Sequence, residues 1–316
     1  MLTVLLATRN QAGVLRETLE AFCQLRAPSS GWKLVIANNG STDQTSEVLA
    51  SCRGRLPLQT IFEPKPGKNS ALNAALEFVE GDLTVFTDDD TFPHADWLIE
   101  LRKAADAQPE YTIFGGAIVP RWESAPPGWV EWVEQGPAYA LTDSTAPEGP
   151  MPWFLVYGPN MAIRTAVFQS GMRFDPSIGP KGTSYPMGSE TELLLRLSLQ
   201  AHQAWHAPSA VVEHFIRRYQ LEQSWLMKRA IRFGRGRFRL DYMRKYRRYP
   251  CWFGVPRTLF RQILEQENAI IKAWLRSDQA ELFRATWNRN LLWGLVTEAR
   301  LSYRDRAPWR TAPAEQ

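Results

Sequence analysis

Short apolar runs alternate with helix-like spacing through the first third of this chain. Strand-like runs cover residues 3–8, 33–38, 58–62 and 83–87. Between them, apolar residues recur at helical intervals: Val14, Leu15, Leu19 and Phe22; Val48 and Leu49; then Ala71, Leu72, Ala75, Leu76 and Val79. Turn-forming residues punctuate the series at Asn39-Gly40-Ser41, between Pro64 and Gly67, and at Glu80-Gly81-Asp82. Strand alternating with helix at this spacing predicts a mostly parallel sheet covered by helices. A further strand is expected over 111–119. Residues 120–152, rich in Pro, Trp and Gly, predict a long, partly ordered excursion, and such loops are usually functional or disordered. Regular structure resumes near Trp153, with a strand over 160–163, a helix starting at Ser189 and a strand at Ala210-Val211-Val212. From Tyr219 onward the pattern is helical. Leu259, Phe260, Ile263, Leu264, Ile270, Ile271, Trp274 and Leu275 mark an amphipathic helix, and residues 278–303 repeat the behaviour. The tail after Pro308 is expected to fray.

Composition narrows the class. With 316 residues and 44% hydrophobic content, the chain can build one large domain, or a domain with an extension. A net charge of +4 is too small to argue for nucleic acid. Cys23, Cys52 and Cys251 form no Cys-x-x-Cys pair, so neither a disulfide framework nor a zinc site is indicated, and a reducing compartment fits. The apolar run from Leu2 to Leu6 has no basic segment and cleavage site before it, so no signal peptide is expected. No stretch reaches about 18 apolar residues, so no membrane span is expected either. The expected location is cytoplasmic, with the inner face of the membrane as a place of association.

Candidate chemistry begins at Asp88-Asp89-Asp90, which follows the apolar run Leu83, Val85, Phe86. Carboxylates packed this closely repel, and one of them takes a raised pKa unless a cation neutralises the cluster. A hard cation such as Mg²⁺ or Mn²⁺ takes one or two such carboxylates and completes its shell with water and substrate phosphates. In open α/β sheets, ligands bind beyond the carboxyl ends of the strands, where this triplet falls. The plain alternative is a turn, with Pro93 nearby, that ends a strand. Trp122, Trp129 and Trp132 admit two readings, a local core plug or a sugar-stacking surface.

Four segments together resemble family 2 glycosyltransferases. VLLATRNQAGVLRETL is similar to that family's first strand and helix, and ANNGSTDQT to the end of its second strand. PGKNSALNAAL followed by GDLTVFTDDD is similar to its following helix and its DXD metal motif. YGPNMAIRTAVFQSGMRFDPSIG followed by GSETELLLRL is similar to its acceptor region and catalytic helix. The resemblance spans roughly residues 2–235, in order. It implies a GT-A-like (Rossmann-like) α/β fold, a nucleotide-diphosphate sugar donor, a divalent metal (Mg²⁺ or Mn²⁺) and inversion at the transferred sugar. Carried over by position, it implies that Thr8, Arg9, Asn10, Asn38, Asn39, Lys68, Asp88 and Asp89 bind the nucleotide-sugar. It further implies that Asp88, Asp90 and His214 hold the metal and that Glu190 is the catalytic base. Asn38-Asn39 departs from the family's paired acids; Asn both donates and accepts, so the nucleotide base is left open. Ser189-Glu190 departs from the family's Glu-Asp pair but keeps a carboxylate.

One base and one metal suffice for inverting transfer. Ser189-Glu190-Thr191-Glu192 is also a capping box, which explains Glu192 best. His94, His202 and His206 have no comparable context. Gly179, Gly182 and Gly188 are placed to hinge a loop that excludes water.

Residues 217–249 are strongly basic, from Arg217 and Arg218 through Lys228, Arg229, Arg232, Arg235, Arg237 and Arg239 to Arg244, Lys245, Arg247 and Arg248. Trp225, Phe233, Phe238, Tyr242, Tyr246 and Tyr249 are interleaved. A solvated helix face, a diphosphate site and a membrane-surface patch compete here, and peripheral membrane contact is the favoured reading. No nucleic acid is expected, because no recognition module accompanies the charge.

The sequence therefore predicts a GT-A domain over 1–215, with a nucleotide-sugar half over 1–115 and an acceptor half over 116–215. A basic helical extension follows over 216–316. The expected activity is transfer of a sugar to a hydroxyl-bearing glycan, lipid-linked or small-molecule acceptor. The rivals are a sugar-phosphate nucleotidyltransferase and a degenerate sugar- or nucleotide-binding member of the fold.

Overall fold

The computed structural model describes residues 1–143, 145–182, 184–242 and 245–306. Arg244 of the basic run and the tail after Pro308 lie outside the described residues. The chain forms two compact units. One comprises Met1–Glu123, Gln135–Ser177 and Ser189–Ile216; the other comprises Ser124–Glu134, Ile178–Gly188 and the chain from Arg217.

The first unit runs β1 (Leu2–Thr8), α1 (Ala12–Cys23), β2 (Trp32–Asn38), α2 (Thr45–Ser51), β3 (Leu58–Phe62), α3 (Lys68–Leu76), β4 (Leu83–Phe86) and β5 (Thr91–Pro93). It continues α4 (Trp97–Ala107), β6 (Ile113–Trp122), α5 (Gln135–Tyr139), β7 (Gly149–Met151), β8 (Met161–Arg164), α6 (Ala166–Gln169), α7 (Ser189–Leu199) and β9 (Ala204–Ile216). The strands form one mixed sheet in the order β3-β2-β1-β4-β8-β6-β9-β5, with β7 pairing β9. β3, β2, β1 and β4 are mutually parallel, and β4 pairs antiparallel with β8. β1 and β4 are almost wholly apolar and buried, as strands covered on both faces must be. The core joins Leu5, Val35, Ala71, Leu72, Phe86, Met161, Leu193 and Leu197. Phe86 meets Phe168 and Phe174 edge-on, with ring centroids 5.5 and 5.3 Å away.

The structure adds elements to the sequence reading. α4 fills residues left unassigned, and its apolar positions Trp97, Leu98, Leu101, Ala104 and Ala105 are all buried. The strand expected at 210–212 is the middle of a much longer β9. The excursion over 120–152 holds the end of β6, α5 and β7. β6 and β9 run parallel with an irregularity: Gly116 lies opposite Ala207, but Ala117 lies opposite Val211. Buried Asn160 seals this bulge. Its amide donates to Ala117 O at 2.8 Å and Ala210 O at 2.7 Å, while its oxygen accepts from the Trp97 indole at 2.8 Å.

The second unit contains α8 (Gln223–Tyr242), the hairpin β10 (Cys251–Trp252) and β11 (Val255–Pro256), α9 (Arg257–Leu275) and α10 (Gln279–Arg304). Phe238, Tyr242, Tyr246, Leu259, Ile263, Leu295, Val296 and Ala299 form its core. α8 and α10 cross at Gly234 and Gly294, where any Cβ would run into the facing backbone. Trp129 stacks on Phe283 at 5.5 Å and Trp132 meets the same ring at 6.2 Å, which is the core-plug arrangement. Among the described residues, no helix is long and apolar enough to cross a membrane.

Candidate active site

The sheet delivers its polar residues to one end of β1, β2 and β4. Thr8 closes β1 and is buried; Arg9 and Asn10 follow, exposed, and Asn10 takes a left-handed φ of 53°. Asn10 ties two loops together, its oxygen accepting from Thr42 N at 2.7 Å and its N–H donating to Ser41 Oγ at 3.0 Å.

Asn38 and Asn39 close β2, and both are buried. Asn38 Oδ1 accepts from Ser41 N at 3.0 Å, and its amide donates to Ser46 Oγ at 3.1 Å. Asn39 is engaged on both ends. Its amide donates to Glu63 O at 2.9 Å and Lys65 O at 2.8 Å, and its oxygen accepts from Gly67 N at 2.8 Å. Asn39 thus fixes the whole 63–67 turn that launches α3 with Lys68.

The Lys68 ammonium forms an ion pair with Asp88. Burial works against the charge on Lys68, but the carboxylates of Asp88, Glu190 and Asp89 outweigh it and hold the amine above its usual range. Asp89 is pushed the other way. Burial, then the adjacent Asp90 charge, raise its carboxyl to about 7, against the pull of the Thr8 hydroxyl.

β5 pairs antiparallel with β9 and sets Thr91 opposite His214. This brings His214 Nε2 to 3.6 Å from Asp90 Oδ1. His214 Nδ1 lies 2.7 Å from Tyr139 O. A carbonyl only accepts, so Nδ1 carries a proton and Nε2 is the ring nitrogen that faces the carboxylate. With a cation between them, Nε2 and the Asp90 carboxylate could both serve as ligands. Metal-ligating histidines commonly donate their second ring nitrogen to a carbonyl in this way. Two protein ligands are also the number Mg²⁺ commonly takes before substrate phosphates and water complete its shell. Among the described residues, no group of three His, Cys, Asp or Glu side chains is gathered at ligating distance. Asp88, engaged by Lys68, stands apart from the Asp90–His214 pair.

Glu190, in the first turn of α7, faces a small, half-open cavity lined by Lys68, Thr87, Asp88, Gly158, Phe174 and Ser189, among others. Asn69 and Asn73 of α3 hold one wall of this cavity, donating to Asp175 O and Phe174 O at 2.8 Å each. A Cβ at Gly158 would sit 3.8 Å from the Glu190 carboxyl carbon, in ordinary contact, which places Gly158 beside the carboxyl group. Gly158, Asn160, Asn69 and Asn73 lie within the segments that resemble the family, and composition and spacing alone give none of them this role. The structure thus gathers Lys68, Asp88, Asp89 and Glu190 around one charge cluster, and Asp90 with His214 beside it.

The mixed sheet carries its charged site at the carboxyl ends of its parallel strands, as open α/β sheets do, and its fold is GT-A. Structural likeness agrees: a Pyrobaculum calidifontis mannosyltransferase in complex with GDP-Man and Mn²⁺ superposes with a TM-score of 0.61 over 94% of this chain and 86% of its own, at 17% identity. S. aureus TarS (residues 1–349) in complex with UDP superposes with a TM-score of 0.54 over 99% and 94%, at 14% identity. The family follows from sequence: residues 3–170 match glycosyl transferase family 2, and the chain belongs to that family. Among curated relatives, the probable glycosyltransferase YdaM of Bacillus subtilis (strain 168) is 23% identical over 66% of this chain and 49% of its own length. Glycosyltransferase AglE of Haloferax volcanii is 27% identical over 30% of this chain and 32% of its own. The chain spans about half or less of the length of these relatives.

Proposed function

We propose that this protein transfers a sugar, with inversion, from a nucleotide-diphosphate sugar to a hydroxyl-bearing glycan, lipid-linked or small-molecule acceptor. The observation that carries the reading is the cavity in which Glu190 and Asp88 flank Lys68. Glu190 is the general base: it removes the acceptor hydroxyl proton as that oxygen bonds to the anomeric carbon, while the bond to the diphosphate breaks and its electrons leave with the phosphate. Lys68 balances the carboxylates and offers a cation to the diphosphate. Asp90 and His214 would hold Mg²⁺ or Mn²⁺, with Asp88 as a further carboxylate for that ion. The metal, when bound, stabilises negative charge on the leaving diphosphate. Thr8, Arg9, Asn10, Asn38 and Asp89 line the donor site, and Asn39 serves it by fixing the turn before Lys68. The neighbours were solved with GDP-Man and with UDP, which supports a nucleotide-sugar donor and leaves the base open. The division at 215/216 is retained as the proposed boundary between a GT-A domain and a basic extension, where we place peripheral membrane contact.

Glu190→Gln tests the base. It removes the proton acceptor with almost no change of shape, so transfer falls by at least about a hundredfold, the lower end of what a general base contributes. Stabilisation by nucleotide-sugar with Mn²⁺ stays near wild type. Normal turnover in this variant would refute the assignment. A wild-type protein stabilised by no nucleotide would favour the degenerate, non-catalytic reading instead.

A further inference from the structure

The second unit holds an exposed aromatic tip that no donor chemistry requires. β10 and β11 are joined by Phe253-Gly254, both with left-handed φ, 47° and 78°. Such two-residue turns favour Asn-Gly or Gly-Gly, because a bulky residue is strained there. Here the strained position holds a phenylalanine that is 84% exposed, next to a Trp252 that is 55% exposed. The base of the hairpin is fixed: Val255 is buried, and a Cβ at Gly254 would run into Tyr303. The tip is therefore presented rigidly.

An apolar line continues from the tip. Trp252 lies 5.9 Å from Phe260, and Phe260, Leu264, Ile271 and Leu275 share one face of α9 by helical spacing. Leu264, Ile271 and Leu275 are exposed. Cations border this line. Between Lys245 and Arg276 the sequence has seven basic residues and two acids. The acids, Glu265 and Glu267, are paired with Arg261 at 3.3 Å and Arg289 at 3.6 Å. The Arg257 guanidinium stacks over Trp252 at 4.7 Å.

We propose that the β10–β11 hairpin and the outward face of α9 dock the protein on an anionic lipid bilayer. Phe253 and Trp252 enter the interface, and Arg247, Arg248, Arg257, Lys272 and Arg276 meet the headgroups. Aromatic and aliphatic groups ringed by cations match a surface that is apolar beneath and negative above. A second copy fits worse, since a two-fold contact would set the same cations against one another. Of the basic run read from the sequence, Arg235 and Arg239 are committed inward to Glu298. The proposed lipid face is the one that carries the exposed aromatic tip, C-terminal to α8. The inference is independent of the donor-site reading.

The test is co-sedimentation of the full chain with phosphatidylcholine vesicles, with and without phosphatidylglycerol. Phe253→Asn suits the left-handed turn and removes only the wedge. Wild type is expected to sediment with the anionic vesicles and far less with neutral ones. Phe253→Asn should weaken that binding about tenfold, roughly one buried aromatic, while melting temperature and nucleotide binding hold. Equal sedimentation of Phe253→Asn and wild type would overturn the proposal, as would failure of wild type to bind anionic vesicles. A concentration-dependent dimer lost in Phe253→Asn, without vesicle binding, would assign the face to a second copy and overturn it too.

Discussion

Replacing Asn39 by Asp restores an acid where family 2 members usually have one, yet the structure makes it damaging. The Asn39 amide faces two carbonyls, Glu63 O at 2.9 Å and Lys65 O at 2.8 Å. A carboxylate cannot donate to either. Two hydrogen bonds of about 1 kcal/mol each vanish, two carbonyls lose their partner, and a charge is buried against them. Together these cost about 3–5 kcal/mol. For domains of roughly 150–250 residues this lowers the melting temperature by about 6–20 °C, at 2–4 °C per kcal/mol. Asn38→Asp is the control. Its amide donates to the Ser46 hydroxyl, which can turn and donate instead, so the expected loss is under about 1 kcal/mol.

The pH dependence has a definite sign. In Asn39→Asp the folded carboxyl binds its proton more tightly than the unfolded one, whose pKa is about 3.9. The penalty is complete above the folded pKa and fades as pH falls toward the unfolded value. The gap to wild type, measured by thermal unfolding, should therefore be widest near neutral pH and narrow on acidification. If Asn39→Asp melts within about 1 kcal/mol of wild type near neutral pH, or Asn38→Asp is equally damaging, the brace is misread.

Two further outcomes are expected. His214→Gln should weaken Mn²⁺ binding at least about tenfold when titrated with a nucleoside diphosphate present, and unchanged affinity would remove His214 from the metal site. Glu298→Gln should destabilise the second unit by about 3 kcal/mol in urea unfolding, because Arg235 and Arg239 both donate to a carboxylate that is 2% exposed; a loss below about 1 kcal/mol would refute that.

The parallel half of the sheet was legible because β1, β2 and β4 are buried runs that announce themselves locally. α4 is equally legible in principle, since Trp97, Leu98, Leu101, Ala104 and Ala105 keep helical spacing; the strand-led reading passes over it. β5 is different. Three residues exist as a strand only through pairing with β9, and nothing local marks them. The charged site residues stand out by type, but the work of Asn39 and Asn160 does not. Both act through backbone atoms far along the chain, and those partners are visible only once the chain has folded.

The irregularity between β6 and β9 works as an index mark. A ladder continued evenly from Gly116 and Ala207 would set Pro120 opposite Val211; because residues 208–210 bulge out of it, Pro120 faces His214. Alternate residues of a strand point to opposite faces, so a one-residue slip of this register would exchange the faces of everything from Val211 to Ile216. The imidazole would leave the Asp90 carboxylate although neither residue had changed. The register that a three-residue kink sets, and not only the side chains it precedes, is thus part of what brings His214 to Asp90.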